Sequence, residues 1–359
     1  MLSKRKKTIF AAGADIKNRF LLVKGKSMKL GPEIGDLSDA GNYEIFKKET
    51  KKAIKKYKPD IIACDLHPGY FSTNFAIHSA QRTAHGARRI QHHHAHIASV
   101  ISEHGLKGRV IGVCFDGTGF GADGNIWGGE FLLVRKRGFK RLGHLVYHKM
   151  PGGDKVIRQP WRMLIGILGR EAFPFIKGVR KEDKEFVLAM AEKGINSPLT
   201  SAAGRLFDAA AALLGICRKA TYEAEGPMKL EAMCKEGIKD AYKFLTLKDS
   251  GKNIIDTRAL FSGMIKDLKA KKNKRFIATK FHNSMVRIIT KTVERLSRDT
   301  GLKNIALSGG VFQNKFLKEK TVKELQSLKF RVFTNEKNPV NDFNISLGQY
   351  HVLSSTGKN

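Results

Sequence analysis

The 359-residue chain predicts an α/β protein. Three observations carry that class. Short hydrophobic runs alternate with stretches that repeat apolar residues at helical spacing. Two of the runs end in glycine-rich turns, VIGVCFDGTGFG (110–121) and IALSGG (305–310). Hydrophobic residues make up 42% of the sequence, enough for a large core, and the length allows two domains or two lobes of one fold.

Residues 9–14 (IFAAGA) and 19–23 (RFLLV) predict two short strands joined by a turn at Asp15–Asn18. From Tyr43 to Tyr57, the spacing of Phe46, Ala53, Ile54 and Tyr57 predicts a helix with a lysine-rich outer face, ended by Pro59 and Asp60. IIACD (61–65) is a buried strand, HPGYFST (67–73) a loop and Asn74–Ala84 a helix. After RRIQ, a helix runs through HHHAHIASVISEH (92–104) to Gly105. A new unit opens at Arg109, with strand 110–116, a loop through Asn125 and a hairpin over Trp127–Leu145. Residues 160–192 are helical except near Pro174, and Arg205–Leu214 and Phe281–Ser297 are further helices. Strand 304–308, helix 311–328, strand 331–334 and a closing turn, NPVNDFN (338–344), complete the core. The early strand–turn–strand and the later strand–loop–hairpin point to two related lobes. The first spans 1–108 and is completed by 335–359; the second spans 109–334. No clean repeat is readable between them.

Composition narrows the class. No apolar run approaches the roughly 18 residues needed to cross a membrane. The basic, then briefly apolar, start is interrupted by Asp15 and reads as a first strand, so a cytoplasmic protein is expected. Cys64, Cys114, Cys217 and Cys234 form no CxxC pair and are expected as plain buried thiols. The net charge of +33 attracts anions, whether nucleotides, nucleic acid or an acidic protein. The lysines are dispersed, as in 47–58 and 266–275, with no nucleic-acid-reading motif beside them.

The run QHHHAHIAS (91–99) is the densest chemical signal. His92 and His96 lie four apart and share one helix face, within reach of one cation. With Asp116 at a strand end and Asp342 in the closing turn they form a candidate two-histidine, two-carboxylate metal set. Such mixed ligands suit iron, zinc or manganese better than calcium. His93 is a candidate substrate contact. Gly117, Thr118 and Gly119 after the first strand, and Ser308, Gly309 and Gly310 after the second, let backbone approach a phosphate. Asn314 is placed to meet a sugar or phosphate, Asp208 to accept from ribose hydroxyls, and Lys155 and Arg158 to grip phosphate or carbamoyl groups. Neither glycine turn matches a P-loop or a Rossmann fingerprint, and the absence of HExxH argues against a zincin protease.

Together, GADIKNRFLL (13–22), IGDLSDAGN (34–42), IACDLHPGYFST (62–73), QHHHAHIAS, FDGTGFGADGNIWGGEFLL (115–133), PGGDK and QPWRM (151–163), AAGRLFDAAAALLG (202–215), ALSGGVFQN (306–314) and ND…SLGQ (341–349) resemble the C-terminal transferase module of HypF, the hydrogenase-maturation carbamoyltransferase family. The resemblance runs from about Ile9 to Gln349. It implies a two-lobed actin-like ATPase (ASKHA) fold with ribonuclease H-like lobes, shared with the tRNA threonylcarbamoyl transferases and the antibiotic O-carbamoyltransferases. It implies carbamoyl transfer from carbamoyl-adenylate to the C-terminal cysteine of a HypE-like protein. It also implies a divalent metal, iron or zinc first, on His92, His96, Asp116 and Asp342, and ATP, AMP or carbamoyl-adenylate on the glycine loops, Asn314 and Asp208.

The family's acylphosphatase, zinc-binding and adenylate-forming regions have no counterpart in the sequence, so a separate adenylate-forming protein is expected as a partner. Where the family pattern has glycines after the last metal aspartate, this chain has Phe343 and Asn344, expected to narrow the approach to the metal. The high charge keeps tRNA as an alternative acceptor, and a nucleotide-binding scaffold without turnover is the non-enzymatic alternative.

Overall fold

The computed structural model describes residues 7–354 apart from 82, 84, 85, 136 and 137. Its first sheet joins β1 (Ile9–Ala11), β2 (Leu21–Lys24), β3 (Ser27–Leu30), β4 (Ile61–Asp65) and β5 (Ala87–Ile90) in the order β3-β2-β1-β4-β5. The first three strands form an antiparallel meander, and β4 and β5 continue parallel to β1. Between these strands lie α1 (Ala40–Tyr57) and α2 (Phe71–Ala80), and α3 (His92–Glu103) follows β5. Alternation divides the strands cleanly. Phe10, Leu22, Ile62 and Cys64 pack with Phe46 of α1. Ile9, Ala11, Leu21, Val23 and Ala63 face the other way and pack with Ala95 of α3.

The second sheet contains β6 (Val110–Phe115), β7 (Gly129–Arg135) and β8 (Gly138–Leu145). A separate small ladder pairs β9 (His148–Lys149) with β10 (Leu199–Thr200). The second sheet continues with β11 (Leu245–Asp249), β12 (Lys252–Asp256), β13 (Asn304–Ser308) and β14 (Arg331–Thr334), in the order β11-β12-β8-β7-β6-β13-β14. Helices α4 (Lys155–Arg158), α5 (Pro160–Leu168), α6 (Lys181–Lys193), α7 (Ala203–Leu213), α8 (Glu225–Glu231), α9 (Arg258–Lys269), α10 (Lys274–Thr300) and α11 (Lys315–Ser327) cover it. The last described helix, α12 (Ile345–Ser354), returns to the first sheet and packs on α3.

The order β8-β7-β6-β13-β14 repeats that of the first sheet, with the same antiparallel meander and the same two parallel additions. Two ribonuclease H-like sheets of one topology make the actin-like ATPase fold. No helix among the described residues is long and apolar enough to cross a membrane. All four cysteines are free; Cys64, Cys114 and Cys217 are buried and Cys234 is half-buried.

Several elements differ from expectation, each for a local reason. Helix α2 starts at Phe71 rather than Asn74, because the Asp15 carboxylate accepts the N–H groups of Phe71 (2.7 Å) and Ser72 (2.9 Å) from a distant turn. It ends at Ala80; residues 82 and 84 of the expected helix lie outside those described. Helix α10 begins at Lys274, not Phe281, where Asn273 accepts from the Arg275 N–H at 2.8 Å. The expected helix 311–328 is a 3-10 turn, Gly310–Gln313, followed by α11. Edge strands β3 and β11 escaped the sequence reading because their side chains are almost all exposed and carry no apolar alternation.

Candidate metal and nucleotide site

The His92–His96 pair stands at the start of α3. Gln91 caps the helix, its Oε1 accepting from the His94 N–H at 2.9 Å, and its Nε2 donates to Phe120 O across the lobes. Both imidazoles are buried and present Nε2 to one point. From His92 Nε2, Asp116 Oδ2 lies at 3.4 Å and Asp342 Oδ1 at 3.7 Å; from His96 Nε2 the distances are 3.3 and 3.4 Å. The four candidate ligand atoms all fall within 4.8 Å of one another. The structure thus brings together His92 and Asp342, 250 positions apart in sequence.

Burial alone would push both histidines down. The carboxylates of Asp65, Asp342 and Asp116 overcome it and hold His92 well above its ordinary value, and Asp116 and Asp342 raise His96. Burial likewise pushes Asp116 up, but its contacts with His92 and His96 hold it well below the usual carboxylate range. Asp342 is lowered in the same way, against burial, chiefly by His92. Every direction says that positive charge belongs at the centre.

The fit to a cation rests on orphaned atoms. The Nε2 atoms of His92 and His96 are buried and lack a hydrogen-bond partner. The other nitrogen of His92, Nδ1, lies 2.8 Å from Asp65 Oδ2, so the neutral ring carries its proton there and aims the Nε2 lone pair at the carboxylates. A carboxylate behind a histidine whose far nitrogen faces two more carboxylates is the arrangement of a metal-ligating histidine. Two imidazoles and two carboxylates suit a divalent ion of the zinc or iron type.

Asp116 joins this centre to the glycine turns. Its Oδ2 faces the histidines, while Oδ1 accepts the N–H of Gly117 at 2.9 Å and of Gly310 at 3.0 Å. Those two amides are therefore occupied by Asp116 itself. Gly309 stands at φ 101°, where a Cβ would lie 2.3 Å from Phe115 O, so no other residue fits. Beside the turns a cleft of about 500 Å³ is lined by Asp116, Gly117, Thr118, Gly310, Asn314 and Asp342, with Lys17 from the first lobe and Arg205 from α7. That volume suits a nucleotide-sized ligand.

Other sequence candidates sit elsewhere. His93 lies under Gly119 with Nδ1 3.0 Å from Gln91 Nε2, and burial, then His92, push it down to about 3. It does not line the cleft. His94 packs on Phe139, and burial drives it to about 4. Ser308 is buried, its hydroxyl donating to Asn335 Oδ1 at 2.9 Å. Asp208 lies behind the cleft at 3% exposure, 2.8 Å from the guanidinium of Arg205, which does reach the cleft. Asn314 is at the cleft, but its Oδ1 caps α11 through Leu317 N–H and its Nδ2 meets His282 Nε2 at 3.0 Å. Lys155 and Arg158 are exposed and outside the cleft lining; Arg158 donates to Thr221 O.

Sequence reasoning missed Asp65, Lys17 and Arg205. Asp65 was visible as an aspartate closing a buried strand, the same signal that marked Asp116. Arg205 opens the predicted helix 205–214, three residues before Asp208, and nothing in that position marks it as a cleft residue. Lys17 spans the cleft mouth to Glu223 at 2.5 Å, and nothing local in the sequence marks that pairing.

An interlobe cleft with glycine turns, beside a histidine–aspartate cluster, defines a protein of the actin-like ATPase fold class with a metal-type centre. Residues 4–103 match the HypF Kae1-like domain, and 112–349 match the second subdomain of the carbamoyltransferase Kae1-like domain. The chain belongs to the HypF carbamoyltransferase family. Carbamoyltransferase HypF2 of Cupriavidus necator is 32% identical over 98% of the chain and 47% of its own length. A carbamoyltransferase HypF homolog of the same organism is 31% identical over 96% of the chain and 91% of its own length. The chain spans about half the length of most curated relatives it matches. A crystal structure of full-length HypF in the phosphate- and nucleotide-bound form superposes with a TM-score of 0.93 at 32% identity, over all of this chain and 57% of that one. HypF from T. kodakarensis gives 0.88 at 30% identity, over 98% of this chain and 48% of that one.

Proposed function

We propose that this chain transfers a carbamoyl group from carbamoyl-adenylate to a thiol. The acceptor is the C-terminal cysteine of a HypE-like protein, in the synthesis of the cyanide ligands of nickel–iron hydrogenase. The adenylate comes from a separate catalytic unit. One observation carries the reading beyond family membership: a single carboxylate, Asp116, binds both glycine turns with one oxygen and faces the histidine pair with the other. The nucleotide cleft and the metal-type centre are thereby one site. We read its walls as two lobes, 1–108 with 335–359, and 109–334.

In the transfer, the thiolate sulfur bonds to the carbamoyl carbon. The bond from that carbon to the phosphate oxygen breaks, AMP leaves with the electron pair, and the thiol proton passes to solvent. No covalent enzyme intermediate is needed. A divalent ion held by His92, His96, Asp116 and Asp342 would supply Lewis acidity toward a carbamoyl or phosphate oxygen. Arg205 and Lys17, both lining the cleft, neutralise phosphate charge, and Asp208 holds Arg205 in place. The glycine turns, free of side chains at Gly117 and Gly310, let the anhydride approach Asp116 closely at the cleft wall.

The test supplies the protein with carbamoyl-adenylate, zinc or iron and a HypE-like acceptor. Mass spectrometry should find a gain of about 43 Da on the terminal cysteine, one carbamoyl group replacing hydrogen. His92→Ala should abolish it. No gain in the metal-loaded protein rejects the reading. The charge of +33 favours one other acceptor, tRNA, and carbamoylation of a tRNA adenosine in place of the thiol would install it.

A further inference from the structure

We infer that Asn344 is a positioning residue that fixes His96 in its Nδ1–H tautomer and aims the Nε2 lone pair at the centre. The inference rests on the metal reading proposed above. Asn344 was expected to narrow the approach to the metal; instead it is 1% exposed and turned into the interior, away from the cleft. Its Oδ1 lies 3.1 Å from His96 Nδ1.

The amide's orientation follows from its other contacts. Asn344 Nδ2 lies 3.0 Å from Pro339 O, a carbonyl that can only accept, and 3.0 Å from Asn335 Oδ1. Asn335 is oriented in turn, its Nδ2 donating to Ser99 Oγ at 3.1 Å and reaching Glu103 Oε2 at 3.4 Å. Asn344 therefore presents nitrogen to Pro339 and Asn335, and oxygen to His96. An oxygen there requires a proton on His96 Nδ1. The neutral ring then has its lone pair on Nε2, the buried atom with no partner, 3.3 Å from Asp116 and 3.4 Å from Asp342.

The two histidines are thus held by different means. His92 has a carboxylate behind it, Asp65, and His96 has a neutral amide. Three carboxylates, Asp65, Asp116 and Asp342, already face the two imidazoles. A carboxylate at 344 would add a fourth. The amide orients His96 without adding that charge.

Cobalt(II) titration followed by its visible d–d absorption tests this, with melting temperature as the control for folding. Asn344→Leu keeps the γ-branched shape and removes both acceptor and donor; it should weaken cobalt binding about 10–100-fold and alter the d–d band. Asn344→Asp restores an acceptor while losing the amide donor, and should bind cobalt at least as tightly as the wild type despite a lower melting temperature. A folded Asn344→Leu with wild-type affinity and spectrum overturns the inference. If Asn344→Leu does not fold, Asn344→Asp decides, and weakened binding in a folded Asn344→Asp overturns it equally. Failure of the wild type to bind cobalt rejects the metal reading itself, which is a separate outcome.

Discussion

The turns that follow the first strand of each sheet hold equivalent aspartates put to opposite uses. After β1, Asp15 uses both oxygens to cap α2. Its neighbours are closed in as well: Gln349 bonds both the N–H and the carbonyl of Gly13, and buried Asn18 bonds the carbonyls of Ala12 and Ala14. After β6, Asp116 uses one oxygen on backbone amides and leaves the other facing two imidazoles. The charges follow. Burial raises Asp15 despite its backbone donors, while the imidazoles hold Asp116 low against the same burial. One topology therefore yields a structural turn in one lobe and a chemical one in the other, and what differs is where the nearest donors lie.

The comparison breaks most directly at Asp116. Asp116→Asn should lose cobalt binding and cut carbamoyl transfer by at least about 100-fold, since it removes a ligand and disturbs both turns. A smaller loss, about 10–100-fold in cobalt affinity by titration, is expected for Asp65→Asn, which keeps the shape behind His92 but removes the charge. Asp15→Ala should leave cobalt affinity unchanged and cost about 1 kcal/mol of stability in urea unfolding, the scale of a lost helix cap. Equal loss of metal binding at Asp15 and Asp116 would erase the distinction between the turns.

The effect that is smallest at neutral pH appears in acid. Burial holds His282 down to about 4, and His148 likewise. The unfolded chain binds a proton on each near 6.5 while the folded protein does not. Their contribution to stability is complete above about pH 6.5 and is lost as pH falls towards 4. His282→Gln should therefore lose less stability than wild type between pH 6.5 and 4, each measured by urea unfolding relative to its own value at pH 7.

Much of the centre was legible because its signals are local. His92 and His96 share a helix face by spacing alone, and Asp116 ends a buried strand before glycines. The shared topology of the two sheets was not legible as a repeat, since strand order depends on pairing between distant segments. Asp208 misled for a related reason: a polar residue in an apolar helix marks an unusual environment, but not which side of the cleft wall it occupies. Lys155 and Arg158 gave the basic signal expected of an anion grip, yet both are exposed and lie outside the cleft lining, and the cations at the cleft come from Lys17 and Arg205. Asn344 read as a departure from a glycine pattern; only the fold shows that it stands behind His96.

The sequence separation between His96 and Asn344, 248 residues, has a consequence for biosynthesis. A chain emerging from the ribosome can display its histidines long before the last carboxylate and the amide behind His96 exist. On the metal reading proposed above, tight ion capture would wait until the segment leading into α12 has been made and docked on α3. Loading with metal would then be a late step, open only to molecules in which Asp116 and Asp342 have already met the two histidines.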